Sequence, residues 1–183
     1  MQFPKPKVKP KKINKLDQTL IDYIDFLTNY TDKQYELYDF WTPTLKLRHF
    51  LWEVFASHYI ELVKARAYNA DNQFTKEETE SAKYTLYNLL DRLVILLYPI
   101  IPQVTTVITK ALDISVNNFP KPIKKTYNND YLKTIKKIMD FNSEVWKSKR
   151  EKNISLRDSI TNVNVPKELK QYEKDLKACH KLS

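Results

Sequence analysis

Glycine is absent from the 183 residues of this chain. Glycine supplies the positive-φ positions of tight hairpins, bulges and phosphate-cradling loops, so its absence argues against hairpin-rich β architecture. It also excludes the phosphate-loop and dinucleotide-binding signatures, which contain glycine by definition. A single cysteine, Cys179, rules out any intrachain disulfide and is consistent with a reducing, cytoplasmic compartment. The chain shows no apolar core of a signal peptide. The longest apolar run, near Leu93 to Ile101, is interrupted by Pro99 and is about half the length needed to cross a bilayer. The three histidines, His49, His58 and His180, have no metal-ligand spacing, and Cys179 has no orienting partner in sequence, so zinc chemistry and nucleophilic catalysis are both disfavoured.

What is present is positive charge and helical periodicity. The net charge is +9, from 31 Lys and Arg against 22 Asp and Glu, a balance that suits a polyanionic partner. Its distribution is uneven. Residues 1–15 form a basic extended arm with six Lys, three Pro and no acidic residue, which reads as a linker or as a nucleic-acid arm. Asp17 to Asp39 carries six acidic residues against one Lys, a surface that repels phosphate. Lys121 to Lys152 holds ten Lys or Arg against four acids.

Apolar spacing predicts an all-α fold. A first helix runs from about Leu16 to Asn29, capped by Asn14. A central helix starts near Thr31-Asp32, is kinked or split at Pro43, and carries a stripe at Leu47, Phe50/Leu51, Val54/Phe55, Tyr59 and Leu62/Val63. Phe40 and Trp41 read as core beside that proline. A third helix covers Thr75 to Tyr98, with Thr75 and Glu78 at capping-box spacing, and a short one covers Gln103 to Leu112 after Pro102. A linker through Ser115 to Lys125 leads to a long basic helix, Asp130 to Lys152. Ile160 to Val165 permits one short strand, and Pro166 opens a last helix to about Lys177. The organisation is therefore an arm (1–15), a helical bundle (16–127), and the basic helix with a small C-terminal appendage (128–183).

On the basic helix Asn142, Trp146 and Arg150 lie four apart, with Lys149 adjacent. They combine a base-edge hydrogen-bonding group, a stacking plane and phosphate charge, a set suited to single-stranded RNA. The competing reading makes Trp146 core and leaves Lys149 and Arg150 to solvate the helix end. Arg157 either meets a nucleic-acid backbone or pairs with Asp158 or Glu151. Lys64 and Arg66 either meet RNA or neutralise the negative end of the central helix.

The blocks Trp52-Glu53-Val54-Phe55, His58-Tyr59-Ile60-Glu61-Leu62-Val63-Lys64 and Arg66-Ala67-Tyr68-Asn69 resemble the central helix of the anticodon-binding domain of valyl-tRNA synthetases in their archaeal form. Isoleucyl and leucyl enzymes carry a looser version. The resemblance continues, in the family's order, through Ser81 to Leu86, Leu97 to Pro102, Phe141-Asn142-Ser143, Trp146-Lys147 and Leu156-Arg157-Asp158. Trp52, Tyr59 and Glu61, inside its strongest block, read as scaffold. The chain departs from the family pattern at Asn117, Thr106 and Ile108. The resemblance implies an anticodon-binding helical bundle with a small α/β appendage, lacking one earlier helix. It implies binding of the anticodon stem-loop of valine tRNA by Asn142, Trp146, Lys149, Arg150, Arg157, Lys64 and Arg66. Its partners would be the catalytic and editing domains of the same enzyme, with no membrane. Neither nucleotide signature of the class I catalytic domain occurs here, so ATP and Mg belong to the full-length enzyme and no cofactor is expected in this chain. The alternative is a helical protein–protein interaction or self-association module, without specific RNA reading, that uses the groove left by the missing helix.

Overall fold

A computed structural model describes residues 3–116, 119–120 and 130–182. Asn117 and the linker segment around Pro122 fall outside the described residues. The chain folds as α1 (Lys15–Glu36), α2 (Trp41–His49), a widened helical segment (Phe50–Tyr59), α3 (Ile60–Tyr68), α4 (Lys76–Leu97), α5 (Pro102–Leu112), α6 (Asp130–Glu151), a tight 3₁₀ turn (Lys167–Tyr172) and α7 (Glu173–His180). One hydrophobic core joins Leu20, Ile24 and Leu27 of α1 to Phe50, Val54 and Tyr59 of the widened segment, Leu62 and Val63 of α3, and Leu89, Leu93 and Leu96 of α4. It continues through Ile135, Ile138 and Val145 of α6 to Leu169 and Leu176 of the tail.

Local chemistry explains most boundaries. Asn14 Oδ1 accepts from Leu16 N at 2.9 Å and caps α1. Thr75 and Glu78 form a reciprocal capping box, with Thr75 N donating to Glu78 Oε2 (2.8 Å) and Glu78 N donating to Thr75 Oγ1 (3.2 Å). Pro102 opens α5 in its first turn. The expected start of the central helix at Thr31-Asp32 is incorrect. Thr31 is buried inside α1, which continues to Glu36 and ends where Tyr38 turns to φ 59°. Asp39 takes the capping role instead, its Oδ1 accepting from Trp41 N and Thr42 N at 3.0 Å each. Pro43 then sits in the first turn of α2, where a missing N–H breaks no helical bond.

From His49 to Ile60 the helix runs on without a break, but through π-type turns with i→i+5 bonds rather than the i→i+4 bonds of an α-helix. The widening still turns Phe50, Val54, Phe55, His58 and Tyr59 inward and leaves Trp52, Glu53, Ala56 and Ser57 outside.

Without glycine, the left-handed positions fall to other residues. Asn69, Asp113 and Lys181 close α3, α5 and α7 at φ 47°, 51° and 50°. Asn and Asp tolerate this region because their short side chains bond locally. Asn69 does so, exchanging two hydrogen bonds with the Phe74 backbone at 2.8 and 2.9 Å.

The appendage is not α/β as expected. Among the described residues no strand forms there; Ile160 N donates to Lys181 O (3.2 Å) in one isolated parallel bridge between Ile160 and Leu182. The alternating Ile160-to-Val165 run stays single because nothing pairs with its remainder. The final helix extends past Lys177 to His180.

Candidate nucleic-acid interface

The seven candidate contacts divide sharply by burial. Arg66 is fully buried. Its Nη1 and Nη2 donate to the two oxygens of Asp17 at 2.8 and 2.7 Å, its Nε donates to Asp175 Oδ1 at 2.7 Å, and Nη1 also reaches Glu78 O at 3.0 Å. Tyr59 Oη (2.7 Å) and Ser81 Oγ (2.5 Å) donate to the same Asp17 carboxylate. Burial acts to discharge the guanidinium, but the hydrogen bonds and charge of Asp17, with the charge of Asp175, outweigh it and raise its pKa. Asp175 carries the surplus negative charge of the cluster, and burial raises its carboxyl to about 6.

Lys149 is likewise fully buried. Its ammonium donates to three backbone carbonyls, Leu156 O (3.1 Å), Asp158 O (2.7 Å) and His180 O (2.8 Å), which bind the loop after α6 and the end of α7 to α6. Burial lowers its pKa. Asn142, also without exposure, bridges two imidazoles. Its Oδ1 lies 2.7 Å from His180 Nε2 and its Nδ2 lies 3.3 Å from His58 Nδ1. That polarity fits His180 carrying its proton on Nε2 and His58 accepting at Nδ1. Burial lowers both imidazoles, His180 to about 4.

Arg66, Asn142 and Lys149 are therefore corrected from surface contacts to interior fasteners, because each has its polar atoms engaged by protein partners. Helical geometry explains the error. Steps of four drift round a 3.6-residue helix, so the row Asn142, Trp146, Arg150 climbs from core to solvent. A step of seven nearly closes two turns, which keeps Lys149 on the inner line with Ile135 and Asn142.

The other four are accessible to different degrees. Trp146 is half-buried, tilted over His58 (5.2 Å between ring centroids) and edge-on to His180 (5.6 Å), so the imidazoles already cover part of it. Lys64 is exposed and within 3.4 Å of Glu61. Arg150 and Arg157 are exposed and, with Lys152, form no ion pair among the described residues.

The structure adds aromatic surface that the sequence reading assigned to the interior. Trp41 and Trp52 are 72% and 67% exposed, and Phe40 is also at the surface. Trp52 borders an open depression of about 420 Å³ with Leu45, Arg48, His49 and Glu53. The spacing Trp41, Leu45, Arg48/His49, Trp52 marks this second stripe, opposite the core stripe, and could have been read from the sequence. Cys179 is half-buried, its thiol pushed up by burial to about 12, which leaves it unreactive. Among the described residues no three His, Cys, Asp or Glu side chains gather in a way that could hold a metal ion. No helix among them is long and apolar enough to cross a membrane.

Comparison with known proteins matches residues 17–165 to a family described as the anticodon-binding domain of tRNA ligase. Curated relatives include the valine–tRNA ligases of Aeropyrum pernix (33% identity over 98% of this chain and 23% of the relative) and Pyrobaculum aerophilum (35% over 100% and 23%). That of Nanoarchaeum equitans is 31% identical over 91% of this chain and 21% of the relative. The chain thus spans less than a quarter of the length of these relatives.

Proposed function

We propose a function from the premise that the chain belongs to the anticodon-binding domain family of tRNA ligases: it binds the anticodon stem-loop of valine tRNA. On this reading it works in the cytoplasm and presents that tRNA to the catalytic and editing domains of a valine–tRNA ligase, where ATP-dependent ligation takes place. The chain's own part is binding. Cations hold the phosphates, and aromatic planes and side-chain amides or carboxylates meet unpaired bases.

The observation that carries the reading is the set of exposed cations Arg150, Lys152 and Arg157 at the end of α6 and in the loop after it, without an ion pair among the described residues, together with the half-buried Trp146 on α6. Trp52, with Arg48, His49 and Glu53 around it, supplies a freer stacking plane than Trp146. The test is binding of the chain to valine-tRNA anticodon stem-loops, with the anticodon bases changed one at a time, at roughly physiological salt, where non-specific binding is weak. Loss of affinity on changing the anticodon supports base reading. Equal affinity for every loop, or for none, refutes it. Arg150→Ala, Trp146→Ala and Trp52→Ala then assign the contacts.

A second reading rests on the exposed corner of Leu37, Tyr38, Phe40 and Trp41. It borders the acidic end of α1, which disfavours RNA, and an apolar patch of this kind suits a protein partner such as the rest of the synthetase. Trp41→Ala would then weaken domain association and leave RNA affinity unchanged.

A further inference from the structure

The N-terminal arm is held at both ends. At one end the Phe3 ring packs edge-on against Tyr68 (5.7 Å) and Tyr87 (6.0 Å), with Lys83 Nζ 5.4 Å from its centroid. Tyr87 Oη donates to Phe3 O at 2.7 Å, and Lys5 pairs with Asp91 at 2.6 Å. At the other end Asn14 N donates to Ser81 Oγ at 2.8 Å while its side chain caps α1. Between these anchors Pro6 and Pro10 restrict the backbone, and Lys7, Lys9, Lys11 and Lys12 are exposed. None of the four forms an ion pair among the described residues. The strap stands off α4 across an open depression of about 480 Å³ whose far side carries Glu77 and Glu80, the latter within 3.9 Å of Lys76.

Four cations without an ion pair among the described residues, on a tethered segment, form a line of positive charge whose backbone ordering cost is already met by the fold. A loose lysine tail would lose backbone freedom on binding; this one has little of it to lose. The strap offers no aromatic or amide group between Pro6 and Lys12, so its chemistry is charge without base recognition.

We propose that Lys7, Lys9, Lys11 and Lys12 form a second contact for the phosphate backbone of RNA, separate from the α6 end and blind to sequence. This rests on the tRNA-binding reading and adds a place on the molecule to it. Among the described residues these lysines are exposed and make no ion pair, so neutralising them leaves folding intact.

The test compares the full chain with the quadruple variant Lys7→Gln, Lys9→Gln, Lys11→Gln, Lys12→Gln, using whole valine tRNA over a series of salt concentrations. Each phosphate neutralised contributes about 0.7 to 0.9 to the slope of log affinity against log salt, so the variant's slope falls by about 3. Its preference among anticodon variants stays that of the wild type, its thermal midpoint is unchanged, and Arg at the four positions restores the slope. If slope and affinity match the wild type while Arg150→Gln lowers both, the strap proposal is overturned and the functional reading stands. If the quadruple variant loses anticodon preference with its affinity, the strap reads bases and the proposal is also overturned. If the wild type binds no tRNA, both fail.

Discussion

Replacing Asp175 by Asn should stabilise the protein above pH 6, although Asp175 belongs to a buried ion cluster. The cluster holds one guanidinium, Arg66, against two carboxylates, Asp17 and Asp175. Asp17 takes Arg66 through both of its oxygens and also accepts from Tyr59 and Ser81, so it is fully served. Asp175 receives a single side-chain donor among the described residues, Arg66 Nε, and is buried with the like charges of Asp17 and Glu78 nearby. Burial, the largest influence, raises its carboxyl from the ordinary 3.8 to about 6. A carboxyl raised on folding favours the folded state most when protonated. Its contribution is complete below the unfolded value near 3.8 and is lost as pH rises through about 6. At about 1.4 kcal/mol per pH unit, the loss comes to about 3 kcal/mol. Asn carries no charge, and its Oδ1 can still accept from Arg66 Nε. The free energy of Asp175→Asn relative to wild type should therefore climb by up to about 3 kcal/mol between pH 4 and pH 6 and stay level above. Urea denaturation followed by tryptophan fluorescence at a series of pH values measures it, and taking the difference between the two proteins cancels the titrating groups that do not interact with Asp175. A flat difference, or a variant less stable than wild type at pH 8, would show that both carboxylates are needed to hold Arg66 and would refute the reasoning.

Arg66→Met should cost about 3 to 5 kcal/mol near neutral pH, because it strands two buried carboxylates; the same denaturation measurement checks it, and the deficit should shrink in acid. His180, lowered on folding from 6.5 to about 4, contributes stability that is complete above pH 6.5 and is lost as pH falls toward 4. His180→Gln, which keeps a donor for Asn142 Oδ1 but does not titrate, should remove up to about 3 kcal/mol of that acid sensitivity. Lys181→Gly should raise stability by about 0.5 to 1 kcal/mol, since a left-handed Lys at φ 50° strains where Gly does not; the shift in denaturation midpoint reports it. Trp52→Ala should lower affinity for the anticodon stem-loop by a factor that corresponds to about 1 to 3 kcal/mol per stacked base, measured by fluorescence anisotropy.

The fold was largely legible because helices announce themselves by spacing. The stripes Leu86, Leu89, Leu93 and Leu96 of α4 and Leu47, Phe50, Val54 and Leu62 of the central helix are all buried as their periodicity requires. The site was less legible because periodicity was applied to apolar residues and not to charged ones. Arg66 follows Leu62 by four and Val63 by three; Lys149 follows Val145 by four and Asn142 by seven. Both occupy core positions by the same rule that placed the leucines, and only the habit of assigning charge to the surface moved them outward. Their partners, Asp175 for Arg66 and the carbonyls of Leu156, Asp158 and His180 for Lys149, come from distant chain segments that no local pattern pairs. The π-type turns at Phe50–Tyr59 had no warning in the sequence either, since Phe50, Val54, Phe55 and Tyr59 are buried as an α-helical stripe would also bury them.

The tail of the chain fastens to the bundle at three buried points, Asp175 to Arg66, His180 O to Lys149 and the His180 ring to Asn142. The family match ends at residue 165, before any of these tail groups. The stretch that the family model describes is thus shorter than the unit that is electrostatically closed, whereas the valine–tRNA ligases that align over 98% and 100% of this chain extend through the tail as well. A chain cut at residue 165 would keep the apolar core of α1, α4 and α6 but lose Leu169 and Leu176 from it, leaving Lys149 and Asn142 short of their tail partners and Arg66 without Asp175. Such a truncation should be compact yet loosely packed, with water drawn in beside α6, and the helix presenting Trp146 and Arg150 would lose the brace that fixes its angle.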